Sequence, residues 1–128
     1  MAPQGAVDWR RLATERSYAQ GYAALAAGDS SLASRFFFAQ IAFKHTDERA
    51  WIGLGAALEQ AEQPLKAAAC YRMGLRFIPS SAWLGFALGR ILKALDRPKE
   101  ADEVLCRAED WAQDEVLKCI REEMSSDA

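Results

Sequence analysis

The residue types that most often perform catalysis are sparse in this chain. His45 is the only histidine, and histidine is the commonest general base because its ordinary pKa lies close to neutral pH. It stands between two predicted helices, where we expect an exposed turn. We therefore interpret His45 as a structural or solvated residue and not as a catalytic base.

The cysteines also give no sign of reactive chemistry. They are Cys70, Cys106 and Cys119, an odd number whose spacings match no pair of metal ligands. Cys70 and Cys106 fall among alanines and leucines, so we expect both to be small buried residues with free thiols. The sequence predicts no metal site.

Two further patterns have ordinary explanations. Gly53-Leu54-Gly55 falls inside a predicted helix, whereas a phosphate-binding glycine loop follows a strand. The paired acids Glu109-Asp110 and Glu122-Glu123 are typical of a solvated helix surface. We therefore predict no catalytic residues, no cofactor and no enzymatic activity.

A repeat of 34 residues organises the chain. Three glycines and three alanines recur at this interval: Gly21, Gly55, Gly89, Ala33, Ala67 and Ala101. This period is the signature of the tetratricopeptide repeat (TPR), a unit of two helices. Small side chains at both places let the helices of one unit approach closely. The sequence predicts an all-α fold, a solenoid of three TPR units in a single domain.

The repeat sets the boundaries of the units. They span 14–47, 48–81 and 82–115, with an N-terminal segment at 1–13 and a capping helix at 116–128. The middle unit carries the full consensus: Trp51, Leu54, Gly55, Leu58, Ala67, Tyr71, Gly74 and Pro79.

The two ends carry different patterns. In the C-terminal helix, one apolar stripe is backed by charged residues, as the last helix of a solenoid requires; the stripe is Val116, Leu117, Ile120 and Met124. At the N-terminus, Val7, Trp9 and Leu12 precede the first unit without a break. We expect this N-terminal segment either to cap the array or to pair with a copy of itself.

Turn residues place the helix ends. Pro64 and Pro98 suit the first turn of a helix, and Asp29 and Asp47 are good N-caps. Ile78-Pro79-Ser80-Ser81 ends one helix and begins the next, because the residue before proline resists helical geometry. The predicted helices are 7–27, 30–44, 48–61, 64–77, 82–95, 98–111 and 113–124.

Charge and hydropathy exclude several partners. Sixteen basic and eighteen acidic residues give a net charge of −2, and no basic block offers a nucleic-acid surface. The longest apolar runs are too short to cross a bilayer, and the residues from Met1 to Asp8 do not form a secretion signal. We expect a cytoplasmic protein that does not insert into membranes.

The first helices of successive TPR units line a concave surface through the second, fifth, ninth and twelfth positions of each unit. The second positions are Glu15, Arg49 and Trp83. The predicted peptide-binding groove consists of Tyr18, Tyr22, Leu25, Ile52, Ala56, Glu59, Trp83, Phe86, Arg90 and Lys93. One end of this set is aromatic and aliphatic, and charges lie at the other edge. Tyr22, Trp83 and Phe86 are the expected anchors, unless the tyrosines pack beneath the N-terminal segment instead.

The same positions exclude one known TPR function. TPR domains that grip a terminal carboxylate use lysines and asparagines, but this chain has no asparagine. Tyr18, Tyr22 and Ile52 stand where such a clamp needs polar groups. The groove is therefore expected to take an apolar segment of a client protein, either extended or helical.

The triplet Phe36-Phe37-Phe38 predicts a second contact surface. Phe37 occupies a core position, and successive helical residues point about 100° apart, so Phe36 or Phe38 must face elsewhere. Together with Trp9, these two residues are candidates for a homodimer contact, with packing inside the chain as the alternative.

The stretch from Tyr18 to Trp111 resembles the TPR chaperones of bacterial type III secretion, particularly the class II group typified by LcrH/SycD. The resemblance is carried by Tyr18-Ala19-Gln20-Gly21-Tyr22, by Ala26-Ala27-Gly28-Asp29, by the run from Trp51 to Gln60, and by Ala67-Ala68-Ala69-Cys70-Tyr71. It implies a bacterial cytoplasmic chaperone whose groove holds a short segment of a translocator protein.

Two other functions stay open. A shorter relative, the YscG-like co-chaperone of the needle subunit, is a variant within the same secretion system. A TPR scaffold or adaptor, which joins copies or subunits without a chaperone role, is the alternative outside it.

Overall fold

A computed structural model describes residues 7–126, and every regular element in this range is an α-helix. The seven helices are α1 (Trp9–Ala26), α2 (Ser30–Phe43), α3 (Glu48–Gln60), α4 (Pro64–Phe77), α5 (Ala82–Ala94), α6 (Pro98–Trp111) and α7 (Asp114–Ser125). Parts of the predicted N-terminal segment (1–6) and of the capping helix (127–128) lie outside the described residues. The all-α prediction is confirmed, and every predicted helix is present within two residues at each end.

The helices begin where the sequence supplies a cap. A side-chain oxygen of Asp29 accepts from the backbone N–H of Leu32 at 3.0 Å, and Ser81 Oγ accepts from Leu84 N–H at 3.1 Å. Pro64 and Pro98 are the first residues of α4 and α6, where a missing N–H costs nothing. These contacts satisfy N–H groups that a helix cannot pair internally.

The turn between the two helices of each unit is also repeated. Gly28, Glu62 and Asp96 lie 34 residues apart, and all three have positive φ, at 78°, 58° and 59°. The N–H of the following residue reaches back to a carbonyl five residues earlier in each case, at 2.9 Å, which is the Schellman ending of a helix. Only the first unit uses glycine for this left-handed position.

The glycine–alanine period has a steric cause. Ala33, Ala67 and Ala101 are fully buried. A Cβ added to Gly55 would lie 2.0 Å from Cε1 of Tyr71. The small residues therefore let the two helices of a unit cross closely, with one large side chain filling the space above each glycine.

The helices form two layers. The inner helices α1, α3, α5 and α7 contact one another in sequence, whereas α2, α4 and α6 pack only against inner helices in the described part of the chain. Glu15 and Arg49 join the first turns of α1 and α3, and Glu59 and Arg90 join the later turns of α3 and α5, so these inner helices run in the same direction. This is the arrangement of a TPR solenoid, with the inner layer on its concave side.

The C-terminal end is closed as predicted. Helix α7 contacts both α5 and α6, and its Val116 and Ile120 are buried against Ala82, Leu105 and Ala108. The charged residues of α7 face outward.

The N-terminal end differs. Its segment is the first part of α1 itself, with Trp9 75% exposed and Leu12 51% exposed. It does not cover the array as α7 does, and it does not lie over the tyrosines of the groove, which belong to the same helix.

Candidate functional site

The structure brings no catalytic group together around His45. This residue lies in the exposed turn between α2 and α3, as expected. Its backbone carbonyl accepts from Nε1 of Trp51 at 2.7 Å, and its ring meets the edge of Phe77 with 4.9 Å between ring centres. His45 thus helps to join the first two units.

The prediction for the cysteines was half right. Cys70 is buried, and burial raises the pKa of its thiol to about 12. Cys106 is exposed, so the prediction that it is buried was wrong. Ala101, Leu105 and Ala108 form the buried face of α6, and Cys106 follows Leu105 by about 100° around the helix axis.

Two searches bear on other functions. Within residues 7–126, no three His, Cys, Asp or Glu side chains lie close enough together to hold a metal ion. In the same range, no helix combines the length and hydropathy that spanning a bilayer requires.

The concave surface is the main candidate site, and it has an apolar centre. Since the inner helices run in the same direction, the fifth positions of the three units form a row across them, consisting of Tyr18, Ile52 and Phe86. All three side chains are half-buried, so each has a packed base and an accessible outer surface. Ala56, one turn further along α3 and also half-buried, leaves a shallow space beside this row.

The α1 side of the groove is an aromatic cluster. The rings of Tyr18 and Tyr22 lie 4.7 Å apart, and Tyr22 packs against the fully buried ring of Phe37 at 5.2 Å. Burial and the neighbouring Tyr18 raise the pKa of Tyr22 to about 12. Both tyrosines therefore stay neutral at physiological pH and present apolar ring surface with hydroxyl groups that can hydrogen-bond.

Arg49 fixes this cluster from the second unit. Its guanidinium lies 4.2 Å above the ring of Tyr18 and donates to both carboxylate oxygens of Glu15, at 3.2 and 2.8 Å. The same group reaches Asp47 at 3.3 Å, which also accepts from the buried Gln40 at 2.8 Å. Sequence reasoning left the pair of Glu15 and Arg49 out of the binding site, although opposite charges exactly one repeat apart are a readable signal.

The α5 side of the groove belongs partly to the C-terminal cap. Phe86 packs against the cluster of α5, α6 and α7 that contains Ile120. Trp83 meets Phe86 edge-on at 6.2 Å between ring centres and is 38% exposed. Of the expected anchors, Trp83 is therefore the most accessible, whereas Tyr22 and Phe86 also support the fold.

The charged edge of the predicted groove is paired within the chain. A carboxylate oxygen of Glu59 accepts from Tyr71 Oη at 2.5 Å, and both oxygens accept from Nη2 of Arg90 at 2.7 Å. Lys93 donates to the backbone carbonyls of Glu123 and Ser126 at the end of α7. These groups hold neighbouring helices together, so they offer a client little unpaired charge.

The candidate dimer residues lie on different surfaces. Trp9 is exposed on α1 and Phe38 is 61% exposed on α2, whereas Phe36 is half-buried and Phe37 is fully buried. The core position of Phe37 is as predicted. Leu25, the last groove residue of α1, is half-buried against the main core.

These features define a class: a three-unit TPR solenoid with a capped C-terminal end and an apolar concave groove. No protein-family model matches the chain, and no curated protein matches it in sequence. Solved structures match it over nearly its full length.

The crystal structure of PcrH in complex with the chaperone-binding region of PopB has a TM-score of 0.77 and 21% identity, covering 94% of this chain and 97% of that chain. PcrH in complex with the chaperone-binding region of PopD gives 0.76 and 21%, over 95% and 91%. SycD, the type III secretion translocator chaperone of Yersinia enterocolitica, gives 0.78 and 19%, over 95% and 93%. The chain thus has the fold of these chaperones, which belong to the group that its sequence resembles.

Proposed function

We propose that this protein is a bacterial cytoplasmic chaperone that holds an apolar segment of a client protein in its concave groove, and that the client is a translocator of type III secretion. The groove residues are the ten predicted from the sequence, with Tyr18, Ile52, Ala56, Trp83 and Phe86 making the apolar contacts. No step of catalysis is part of this function.

The row of Tyr18, Ile52 and Phe86 carries the proposal. It presents apolar surface on three adjacent helices, and buried aromatic anchors dominate the energies of protein interfaces. The charges beside it are already paired, so a charged segment would lose its hydration without gaining partners. An apolar segment would bury its side chains against the row and fill the space above Ala56.

The structural likeness supports the choice of client. PcrH, which has this fold, was crystallised with the chaperone-binding regions of PopB and PopD, and SycD is a translocator chaperone. A membrane-active client needs its apolar segments covered until it is secreted, because exposed apolar patches lead to association.

The test begins with co-expression of the chain with the apolar proteins encoded beside its gene. We expect one of them to become soluble in a complex with this chain. Overlapping peptides from that client, titrated calorimetrically, would then locate the bound segment. If the bound client is a needle subunit, the co-chaperone variant is correct and the translocator is not. If the neighbouring genes encode no secretion component, the assignment to type III secretion fails.

Two matched variants place the binding on the groove. Ile52→Glu puts a charge in the central row and should weaken peptide binding at least about tenfold. Leu65→Glu makes the same change on the outer helix α4, where Leu65 is 61% exposed, and should bind as the wild type does. Ala56→Trp, which fills the groove without adding charge, should weaken binding as well. Wild-type affinity in both groove variants, with native circular dichroism, would contradict the proposal.

A scaffold without a chaperone role is the second candidate. The observation that favours it is the exposure of large apolar residues away from the groove, including Trp9 and Phe38, and one SycD crystal structure is described as an alternative dimer. In this case substitutions of Trp9, Phe36 or Phe38 would change the mass in sedimentation, while groove variants would have no effect.

A further inference from the structure

The outer face of α1 carries a regular seam that nothing in the chain covers. Trp9, Leu12, Arg16, Ala19, Ala23 and Ala26 follow one another at alternating intervals of three and four residues, and all six are exposed. This spacing is the a/d pattern by which one helix packs against another. Gly21 and Ala24, on the opposite face of the same helix, are buried in the core.

We infer that two copies of this chain pair through the seam, with their α1 helices antiparallel. The seam is the site of a homodimer, and this inference is independent of the client proposed for the groove.

The distribution of side-chain sizes points to a second copy. The large residues Trp9, Leu12 and Arg16 occupy the first half of the seam, and three alanines occupy the second half. An antiparallel pair places Trp9 opposite Ala26, Leu12 opposite Ala23, and Arg16 opposite Ala19. Each large side chain then meets a small one, so the surface is complementary to itself, as an interface with two-fold symmetry requires.

A parallel pair would lack this fit. Trp9 would meet Trp9 and the alanines would meet each other, so the helices would diverge at one end and leave a gap.

The charges favour the same orientation. Every charged residue of α1 lies between Arg10 and Arg16, whereas the stretch from Ser17 to Ala26 has none. Antiparallel pairing sets the charged half of one helix against the uncharged half of the other. The stem of Arg16 can cover Ala19 while its guanidinium reaches water. Parallel pairing would bring Arg10, Arg11 and Arg16 close to their own copies.

The expected area describes a weak but specific dimer. The seam is about 25 Å long, and Trp9 offers on the order of 150 Å² in each copy. The paired seams would bury roughly 1,000 Å² in total, which is near the lower limit for specific interfaces. Dimerisation should therefore depend on concentration.

Mixed disulfide crosslinking tests both the contact and its direction. Leu12→Cys and Ala23→Cys are prepared separately in a Cys106→Ser/Cys119→Ser background. Each protein alone should remain uncrosslinked under mild oxidation, because identical positions lie about 16 Å apart along the pair and a disulfide needs Cα atoms within about 7 Å. The mixture should give a crosslinked dimer. Self-crosslinking of Leu12→Cys alone would overturn the antiparallel arrangement.

Sedimentation tests the surface without cysteines. The wild type should show a concentration-dependent dimer, and Ala23→Glu should weaken it at least about tenfold. Leu65→Glu is the matched charge control and should dimerise as the wild type does. A dimer lost in Phe38→Glu but kept in Ala23→Glu would place the contact on α2 and overturn the inference.

A different occupant would give a different result. A wild type that stays monomeric at every concentration overturns the inference. If Ala23→Glu then weakens client binding, the seam binds part of the client instead. Peptide binding to the groove in the Ala23→Glu variant separates this outcome from failure of the proposed function.

Discussion

The two ends of the solenoid solve the same problem differently. At the C-terminal end, α7 turns Val116 and Ile120 inward and leaves charged side chains on the solvent face. At the N-terminal end, α1 has no helix before it, and the exposed face carries Trp9 and Leu12. One end is finished for water and the other for a contact. An end helix in a solenoid is therefore not a cap merely because of its position; the residues on its outer face decide.

The largest expected effect contrasts apolar residues at the two ends. Ile120→Ala should lower the free energy of unfolding by about 2–5 kcal/mol, because Ile120 is fully buried where α7 meets α5 and α6. Leu12→Ala should change it by no more than about 0.5 kcal/mol, because Leu12 is 51% exposed. Urea denaturation of the dilute monomer measures both. Equal losses would mean that the N-terminal segment is packed as tightly as the cap.

The second contrast concerns carboxylates at the two ends. Burial raises the pKa of Asp47, but the hydrogen bonds from Gln40 and Arg49 outweigh it, so the pKa lies below its ordinary value. A carboxyl with a lowered folded pKa stabilises the fold above its unfolded pKa and loses this contribution as the pH falls through the folded pKa. Asp47→Asn, which keeps an N-cap, should therefore lower the unfolding free energy at neutral pH by about 1 kcal/mol. It should also weaken the loss of stability in acid.

The control for this prediction lies at the other end. Glu109 and Arg121 form an exposed pair at 3.8 Å, and such pairs contribute little. Glu109→Gln should leave the stability between pH 2 and pH 7 close to that of the wild type. The measurement is urea denaturation across this pH range, and an acid profile unchanged by Asp47→Asn would contradict the role of the Asp47 contacts.

The smallest effect concerns the left-handed turns. Gly28 occupies this position in the first unit and Asp96 in the third, with φ of 78° and 59°. Asp96→Gly should stabilise the protein by about 0.5 kcal/mol, and Gly28→Ala should destabilise it by about 1 kcal/mol, because left-handed geometry disfavours a Cβ. Thermal unfolding would show the opposite signs. A decrease in both variants would show that the Asp96 side chain contributes more than its backbone strain costs.

Much of the fold was predictable because its determinants are local or periodic. Pro64, Pro98, Asp29 and Ser81 mark helix starts through contacts within three residues, so the sequence alone places them. Gly55 and Ala67 recur in phase with the other units because every unit needs the same close crossing.

The candidate site was less predictable. The sequence located the groove residues by their register, and the structure places them on the inner helices. It could not show that Arg90 and Lys93 are committed to Glu59 and to the end of α7, because those partners lie about 30 residues away and at different positions of their units. The error for Cys106 was avoidable, since the buried spacing of Ala101, Leu105 and Ala108 already assigns it to the outer face.

The sequence by itself determined the helices, the three-unit array and the apolar character of the concave surface, since hydrogen bonding within a helix, capping and a fixed repeat all act over short distances or recur in every unit. Only the tertiary structure decided which end is closed, which groove charges are paired and which face of α1 is left uncovered. These properties depend on where neighbouring helices stop, and a residue becomes buried or exposed only when the helices that pass beside it are in place.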